Sequence, residues 1–224
     1  MIIVPCEQGT SAWREAKRGL PSASNIEKII TPKGLKPSSQ ADTYRYKLLA
    51  EWATGETAMD AGSQFMQRGT EMEAEARAWY ELSKDVTVQQ VGFILNDERT
   101  FGCSPDGLVG TNGDLEIKCF EAAHHVKALL EGDDDYVLQC QARLWVTNRE
   151  WVDRVYYNPA MPVVCRRLYR DASIVATIQE RVGEFLEQLE ADRARLKELG
   201  CGLFYTEPTI APPTAPQTVE GLFA

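Results

Sequence analysis

The segment Leu115-Glu116-Ile117-Lys118-Cys119, preceded after a short turn by Ser104-Pro105-Asp106-Gly107, constrains this chain more than any other feature of its 224 residues. Side chains of a strand alternate between its two faces, so Glu116 and Lys118 share one side while Leu115, Ile117 and Cys119 take the other. The apolar side can anchor the strand in a core, which leaves the charged side for chemistry. Carboxylates on neighbouring strands can share divalent cations, and an ammonium two residues beyond the second carboxylate points the same way.

Asp106 serves this arrangement only if it lies beside Glu116. A two-residue Asn112-Gly113 turn would pair Thr111 with Asp114 and put Asp106 on the wrong face. A three-residue loop of Gly110, Thr111 and Asn112 would pair Val109 with Gly113 and bring Asp106 opposite Glu116; a bulge near Pro105 would serve equally. One of these two is expected. The plain alternative is a solvent-facing hairpin with ordinary surface charges.

Hydrolysis of a phosphodiester needs an activated water and a neutralised leaving oxygen, and two cations held by carboxylates can supply both. Hard oxygen ligands favour magnesium or manganese over zinc. Lys118 would then orient or deprotonate the water, or offset charge on the pentavalent phosphate, and the sequence leaves these roles open.

The net charge of −9 runs against a nucleic-acid ligand, whose phosphates normally meet Lys and Arg. The distribution matters more. Residues 1–50 carry eight bases (Arg14, Lys17, Arg18, Lys28, Lys33, Lys36, Arg45, Lys47) against four acids (Glu7, Glu15, Glu27, Asp42). This N-terminal footprint suits a DNA groove or a solvated helix face. The start MIIVPCEQGT has no charged and apolar leader pattern, and no run approaches membrane-spanning length, so a soluble, cytoplasmic protein is expected. Six cysteines without a C-x-x-C pair read as buried small apolar residues rather than a zinc or disulfide framework.

Along the chain, Ser11 is expected to cap a short helix through Trp13 that ends at Gly19, and Ser22 or Ser24 to open another running to Ile30. Thr31 to Ser39 is broken by Pro32, Gly34 and Pro37 and reads as an exposed basic finger. Helices follow over 40–54, with Tyr46, Leu49 and Trp52 at helical spacing, and over about 63–83. Strands dominate 86–119; helices over 122–130 and 135–146, with Asp133 to Asp135 at the second helix start, lead to strands at 151–157 and 163–169. A long amphipathic helix spans 171–199, with Ile174, Ile178, Val182, Phe185 and Leu189 on one side. The expected fold is α/β, a three-layer core with a central mixed sheet flanked by helices. It occupies one domain over 1–204 that buries roughly 70% of its unfolded surface, with a proline-rich flexible tail over 205–224.

Several motifs in order resemble the lambda-type phage exonuclease family of the PD-(D/E)xK nuclease superfamily, whose core is restriction-endonuclease-like. They are Trp13, Lys17 and Gly19 with Ser22-Ala23-Ser24; Gly69 to Arg77; Cys103 to Gly107; Leu115 to Cys119; Gln139-Cys140-Gln141 with Leu144-Trp145-Val146; and Asn158-Pro159. The resemblance implies catalytic roles for Asp106, Glu116, Lys118 and Gln141. It implies two magnesium ions per site, replaceable by manganese, held by Glu73, Asp106, Glu116 and the Ile117 carbonyl. It places the terminal 5′-phosphate at Lys17, Ser22, Ser24 and Ser104. The family usually carries arginine where Lys17 stands, so Lys17 acts as a point charge or Arg14 or Arg18 substitutes. Gln139, two positions from Gln141 on a helix, is expected to face elsewhere.

The same resemblance implies a processive 5′-to-3′ exonuclease on linear double-stranded DNA, encoded by a phage or prophage and acting in the bacterial host cytoplasm. It would work as a homotrimeric ring, release 5′-mononucleotides and hand its 3′ overhang to a single-strand annealing protein. Met66 would part the strands, and Lys33 and Lys36 would hold the duplex ahead. Competing readings are a restriction-like or repair endonuclease and an inactive DNA-binding scaffold on the same core. His124 and His125 lack metal-ligand spacing, and Trp145, Trp151, Tyr156 and Tyr157 read as core rather than as a stacking platform.

Overall fold

The computed structural model describes residues 1–56, 63–119, 121–132 and 136–202, with only the helical backbone for 63–71. In chain order the elements are β1 (Ile2–Val4), α1 (Ser11–Lys17), a 3-10 helix (Ala23–Lys28), α2 (Ala41–Thr54), α3 (Ser63–Lys84), β2 (Val88–Gln89), β3 (Phe93–Leu95), β4 (Gly102–Cys103), β5 (Gly107–Val109), β6 (Gly113–Lys118), α4 (Ala122–Leu130), α5 (Val137–Thr147), β7 (Trp151–Tyr156), β8 (Val164–Tyr169) and α6 (Ala172–Glu198). The proline-rich stretch from 205 onward, the Asp133 to Asp135 run and the Met66 side chain lie outside the described residues.

Five strands form the central sheet in the order β2-β5-β6-β7-β8, and β1-β3-β4 form a smaller antiparallel sheet. The central sheet is mixed, because β6 and β7 run parallel while the other neighbours are antiparallel. The parallel pair requires a crossover, and α4 and α5 supply it. On one face, Leu115, Ile117 and Val155 pack with Ala76 and Tyr80 of α3. On the other, Cys140 and Leu144 of α5 meet Val152. The larger core joins the 3-10 helix, α2, α5 and α6 through Ile26, Ile30, Leu48, Ala142, Ile178 and Val182.

The β5–β6 connection is the three-residue loop Gly110 to Asn112, with Val109 paired to Gly113. Gly110 adopts φ +53, a left-handed conformation that suits glycine in such a loop. Buried Arg149 locks the turn from below: its Nη1 donates to the carbonyls of Val109 at 3.3 Å, Gly110 at 3.0 Å and Gly113 at 2.5 Å. Gly107 is required at the strand start, because a Cβ there would stand 2.0 Å from Val88 Cγ1.

Three local expectations are corrected. Thr10, not Ser11, caps α1, since Thr10 keeps an extended backbone and its Oγ accepts from the Trp13 amide at 3.3 Å. Tyr46 points outward at 60% exposure, because Tyr44, Leu48 and Trp52, with Arg45 and Leu49, form the buried stripe of α2. Of the six free cysteines only Cys103 and Cys140 are buried; Cys201 is exposed and the others are half-buried at the edges of packed clusters. Tyr156 is buried and half-buried Trp145 packs against the main core 5.1 Å from Phe101, whereas Trp151 is covered by the Arg167 guanidinium at 3.5 Å. His125 is buried with Nε2 2.8 Å from the Pro162 carbonyl, and His124 is exposed.

Replacing Arg149 with Ala leaves three inward-facing carbonyls without their donor. Urea unfolding of Arg149→Ala should show a stability loss of about 2–3 kcal/mol, and a loss below about 0.5 kcal/mol would mean the turn holds its register unaided.

Candidate active site

Register decides the site. Counting outward from Val109↔Gly113 and Gly107↔Leu115, the next position places Asp106 opposite Glu116 on the α5 side of the sheet. Asp106 Oδ2 accepts from the Ile117 amide at 2.6 Å, so the hairpin ladder continues through a side chain where the strand itself stops. This charge-assisted bond fixes the carboxylate beside β6.

Glu116 is 3% exposed and surrounded by donors. Lys118 Nζ lies 2.6 Å from Oε1, Gln139 Nε2 donates to the same oxygen at 3.2 Å, and Arg143 Nη1 makes an ion pair with Oε2. Lys118 also sits 4.4 Å from the centre of the Tyr136 ring. Tyr136 itself holds φ +64 immediately before α5, a conformation non-glycine residues seldom adopt and that clusters at functional sites.

Glu73 reaches toward the site from α3. Its carboxylate pairs with Arg77 at 2.6 Å, and Arg77 Nε donates to the Asp106 carbonyl at 3.3 Å. Burial, then the nearby Asp106 charge, pushes the Glu73 carboxyl above the usual range, while Arg77 and Lys118 pull it down. Among the described residues, no three Asp, Glu, His or Cys side chains draw together into a ready-made ion cage. The acids are instead held by protein cations and a backbone amide. The oxygens of Asp106, Glu116, Glu73 and the Ile117 carbonyl are nevertheless hard donors of the kind that suits magnesium or manganese rather than zinc.

The two glutamines exchange the places expected of them. Gln141 is 1% exposed and turned away from Glu116: its Nε2 donates to the Tyr169 carbonyl at 2.9 Å and its Oε1 accepts from the Asp171 amide at 2.9 Å. It joins α5 to the β8–α6 junction. Gln139 is the glutamine that reaches the site, as its place on α5 one turn before Arg143 requires.

Two further residues escaped sequence reasoning. Asp114 and Arg143 are fully buried, with Arg143 Nη2 2.5 Å and Nε 3.2 Å from the Asp114 carboxylate, and Nη2 2.7 Å from the Leu115 carbonyl. Burial works against the Arg143 charge, but Asp114 and then Asp106 outweigh it, leaving the guanidinium above its ordinary value. Period-2 alternation already put Asp114 on the face of Glu116 and Lys118; that signal was available.

Toward the N-terminus, Lys17 Nζ stands 3.7 Å over the Trp13 ring, whose Nε1 donates to Ser104 Oγ at 2.9 Å and to the Gly92 carbonyl at 3.1 Å. The Ser22 and Ser24 hydroxyls are 3.2 Å apart, and Ser22 pairs with Gly102, two residues before Ser104. Arg14, Lys33 and Lys36 are exposed and Arg18 half-buried. A cavity of about 440 Å3, lined by Ser24, Lys28, Thr31, Ser38, Tyr136 and Gln139 among others, links this region to the donors around Glu116.

A mixed sheet flanked by helices, with two carboxylates and a lysine on one face, defines a restriction-endonuclease-like core. The chain belongs to the YqaJ-like viral recombinase family, whose domain model matches residues 12–150. It is similar to the alkaline exonuclease LHK-Exo of Laribacter hongkongensis at 34% identity, with 85% of this chain and 98% of that one covered and a TM-score of 0.77. The same enzyme in complex with dAMP matches at 35% identity over the same shares, with a TM-score of 0.76. A phage-related exonuclease from Haemophilus somnus 129PT shares the fold at 18% identity, covering 77% of this chain and 96% of that one with a TM-score of 0.57. A search of curated protein sequences gives no match.

The glutamine geometry makes a discriminating prediction. Gln141→Ala should lower stability by about 1–2 kcal/mol through its two lost buried hydrogen bonds, seen as a lower melting temperature. Gln139→Ala should leave melting nearly unchanged while lowering nuclease turnover about tenfold; the reverse pattern would return the catalytic role to Gln141.

Proposed function

We propose that the chain is a divalent-metal-dependent DNA exonuclease. The observation that carries this is the hairpin register: it brings Asp106 and Glu116 side by side, with Lys118 next along the same face, in a chain one-third identical to an alkaline exonuclease. Asp106, Glu116, Glu73 and the Ile117 carbonyl would hold two magnesium ions, with manganese as a substitute. When bound, those ions supply Lewis-acid polarisation of the phosphodiester and a water nucleophile at neutral pH. Lys118, released from Glu116, stands where an ammonium can steady the attacking water or the charge on the phosphate. Gln139 would hold a carboxylate or a phosphate oxygen in place; Gln141 acts through the fold.

Polarity and processivity extend the same reading. Lys17, Ser22, Ser24 and Ser104 would anchor a terminal 5′-phosphate through one cation and hydroxyl donors, which favours digestion from the 5′ end. The stacked Trp13–Lys17 pair supports Lys17 in that role, with Arg14 and Arg18 on the same segment as the alternative cations. Products are 5′-mononucleotides and a 3′ overhang, and dAMP bound to the relative is a ligand of that product class. A homotrimeric ring around the duplex would sustain digestion on a chain of net charge −9, since enclosure replaces electrostatic grip. Exposed Lys33 and Lys36 would track the duplex ahead, Met66 would part the strands, and a single-strand annealing protein would take the overhang. The setting is the cytoplasm of a bacterial host; among the described residues no helix is long and apolar enough to cross a membrane. Residues 1–204 would carry the activity as one domain, with 205–224 as a tail.

Linear duplex bearing a 5′-phosphate should be degraded in magnesium, closed circular duplex should survive, and chelator should stop the reaction. Asp106→Ala and Lys118→Ala should each lower turnover by at least about a thousandfold. Cleavage of circles, or full activity in Asp106→Ala, would refute the reading. Deleting residues 33–36 of the finger should shorten digestion tracts and make digestion fail at lower salt; unchanged tract lengths would remove the finger from DNA contact.

A further inference from the structure

Glu116 meets two cations of different character. Lys118 holds Oε1 with a side chain that is 24% exposed and able to swing away. Arg143 holds Oε2 from the interior at 1% exposure, and its other nitrogens are fixed by both Asp114 oxygens and the Leu115 carbonyl. An arginine in that clamp keeps its charge and its orientation. Stability alone gives no reason for it, because apolar side chains of the same volume usually serve a core as well as a buried ion pair does.

We propose that Arg143 is a positioning residue of this site: a fixed internal counter-charge that aims the Glu116 carboxylate through Oε2 and weakens the hold of the site on divalent cations. Asp114 is the clamp that keeps Arg143 in place. The inference rests on the metal-site reading of Glu116. With Oε2 engaged from below, Oε1 is the oxygen left to exchange Lys118 for another positive group. The charge of Arg143 opposes a cation on Glu116 at close range through a weakly polar interior. That effect outweighs the rotameric freedom Glu116 would regain without it. Fewer opposing charges mean tighter cation binding.

The test is Mn2+ titration of the full chain, followed by electron paramagnetic resonance of the free ion, beside turnover on linear duplex. Near-ultraviolet circular dichroism checks folding. Asp114→Asn/Arg143→Gln removes the pair together, so Asp114 is not left as a buried charge without its partner, while Lys118 and Gln139 stay on Glu116. It should bind Mn2+ at least about tenfold more tightly, with turnover reduced about tenfold. Arg143→Lys keeps the charge and loses the fork; it should hold Mn2+ within about threefold of wild type while turnover falls. Wild type that binds Mn2+ and loses it in Asp106→Ala, with the double variant binding no more tightly, would overturn the inference and leave the functional reading intact. Full turnover in Arg143→Lys would likewise overturn it. Wild type with no Mn2+ site sensitive to Asp106→Ala would sink both.

Discussion

One pairing, Val109 against Gly113, organises the chemistry of this molecule. Strand side chains repeat every two residues, so slipping that pair by one would send Glu116 to the α3 side and Leu115 into the charged site. The loop length sets the pair, Gly110 allows the loop its left-handed residue, and Arg149 fastens the loop to the start of β7. Asp106 then completes the ladder with its own carboxylate on the Ile117 amide. The Asp106 carboxylate has become part of the sheet's hydrogen bonding, and its position is tied to that of the sheet.

Rigidity brings an electrostatic difficulty that the surrounding helices resolve. Glu73, Asp106, Asp114 and Glu116 crowd acids around one stretch of β6, and burial penalises each charge. Every element adjoining them contributes a counterpart: Arg77 from α3, Lys118 from β6 itself, and Gln139 and Arg143 from α5. Arg77, Lys118 and Gln139 are half-buried, whereas Arg143 is enclosed. The site is therefore built in two tiers, a fully buried ion pair beneath and half-buried counterparts above.

The hairpin, its loop and the shared face of Asp106, Glu116 and Lys118 were legible because strand alternation and turn length are local rules. Helix boundaries followed for the same reason, with α4 at the expected residues and α6 beginning after its Asp171 cap. The glutamines were not legible in this way. Both lie on α5, and only the packing of α5 against β6 on one side and the β8–α6 junction on the other decides which of them meets Glu116. Tyr46 failed for a similar reason: helical spacing identifies a stripe, but neighbouring elements decide which stripe is covered. Arg143 was hidden because a charged residue in an apolar helix suggests a solvent-facing position, and its partner Asp114 looked like a turn residue.

Lys17 shows how a single cation can be placed by its surroundings. A lysine offers no planar fork, so it must be placed by something other than its own geometry. Here the Trp13 ring lies 3.7 Å beneath the ammonium, an interaction that favours a cation over the ring face. The same indole donates to Ser104 Oγ, two residues before Asp106. One aromatic side chain thus relates the N-terminal cation to the strand that carries the first carboxylate. In the proposed reading, a 5′-phosphate at Lys17 would be related to the acids through that indole and two residues of chain. Such a relation would suit the proposed digestion from a strand terminus.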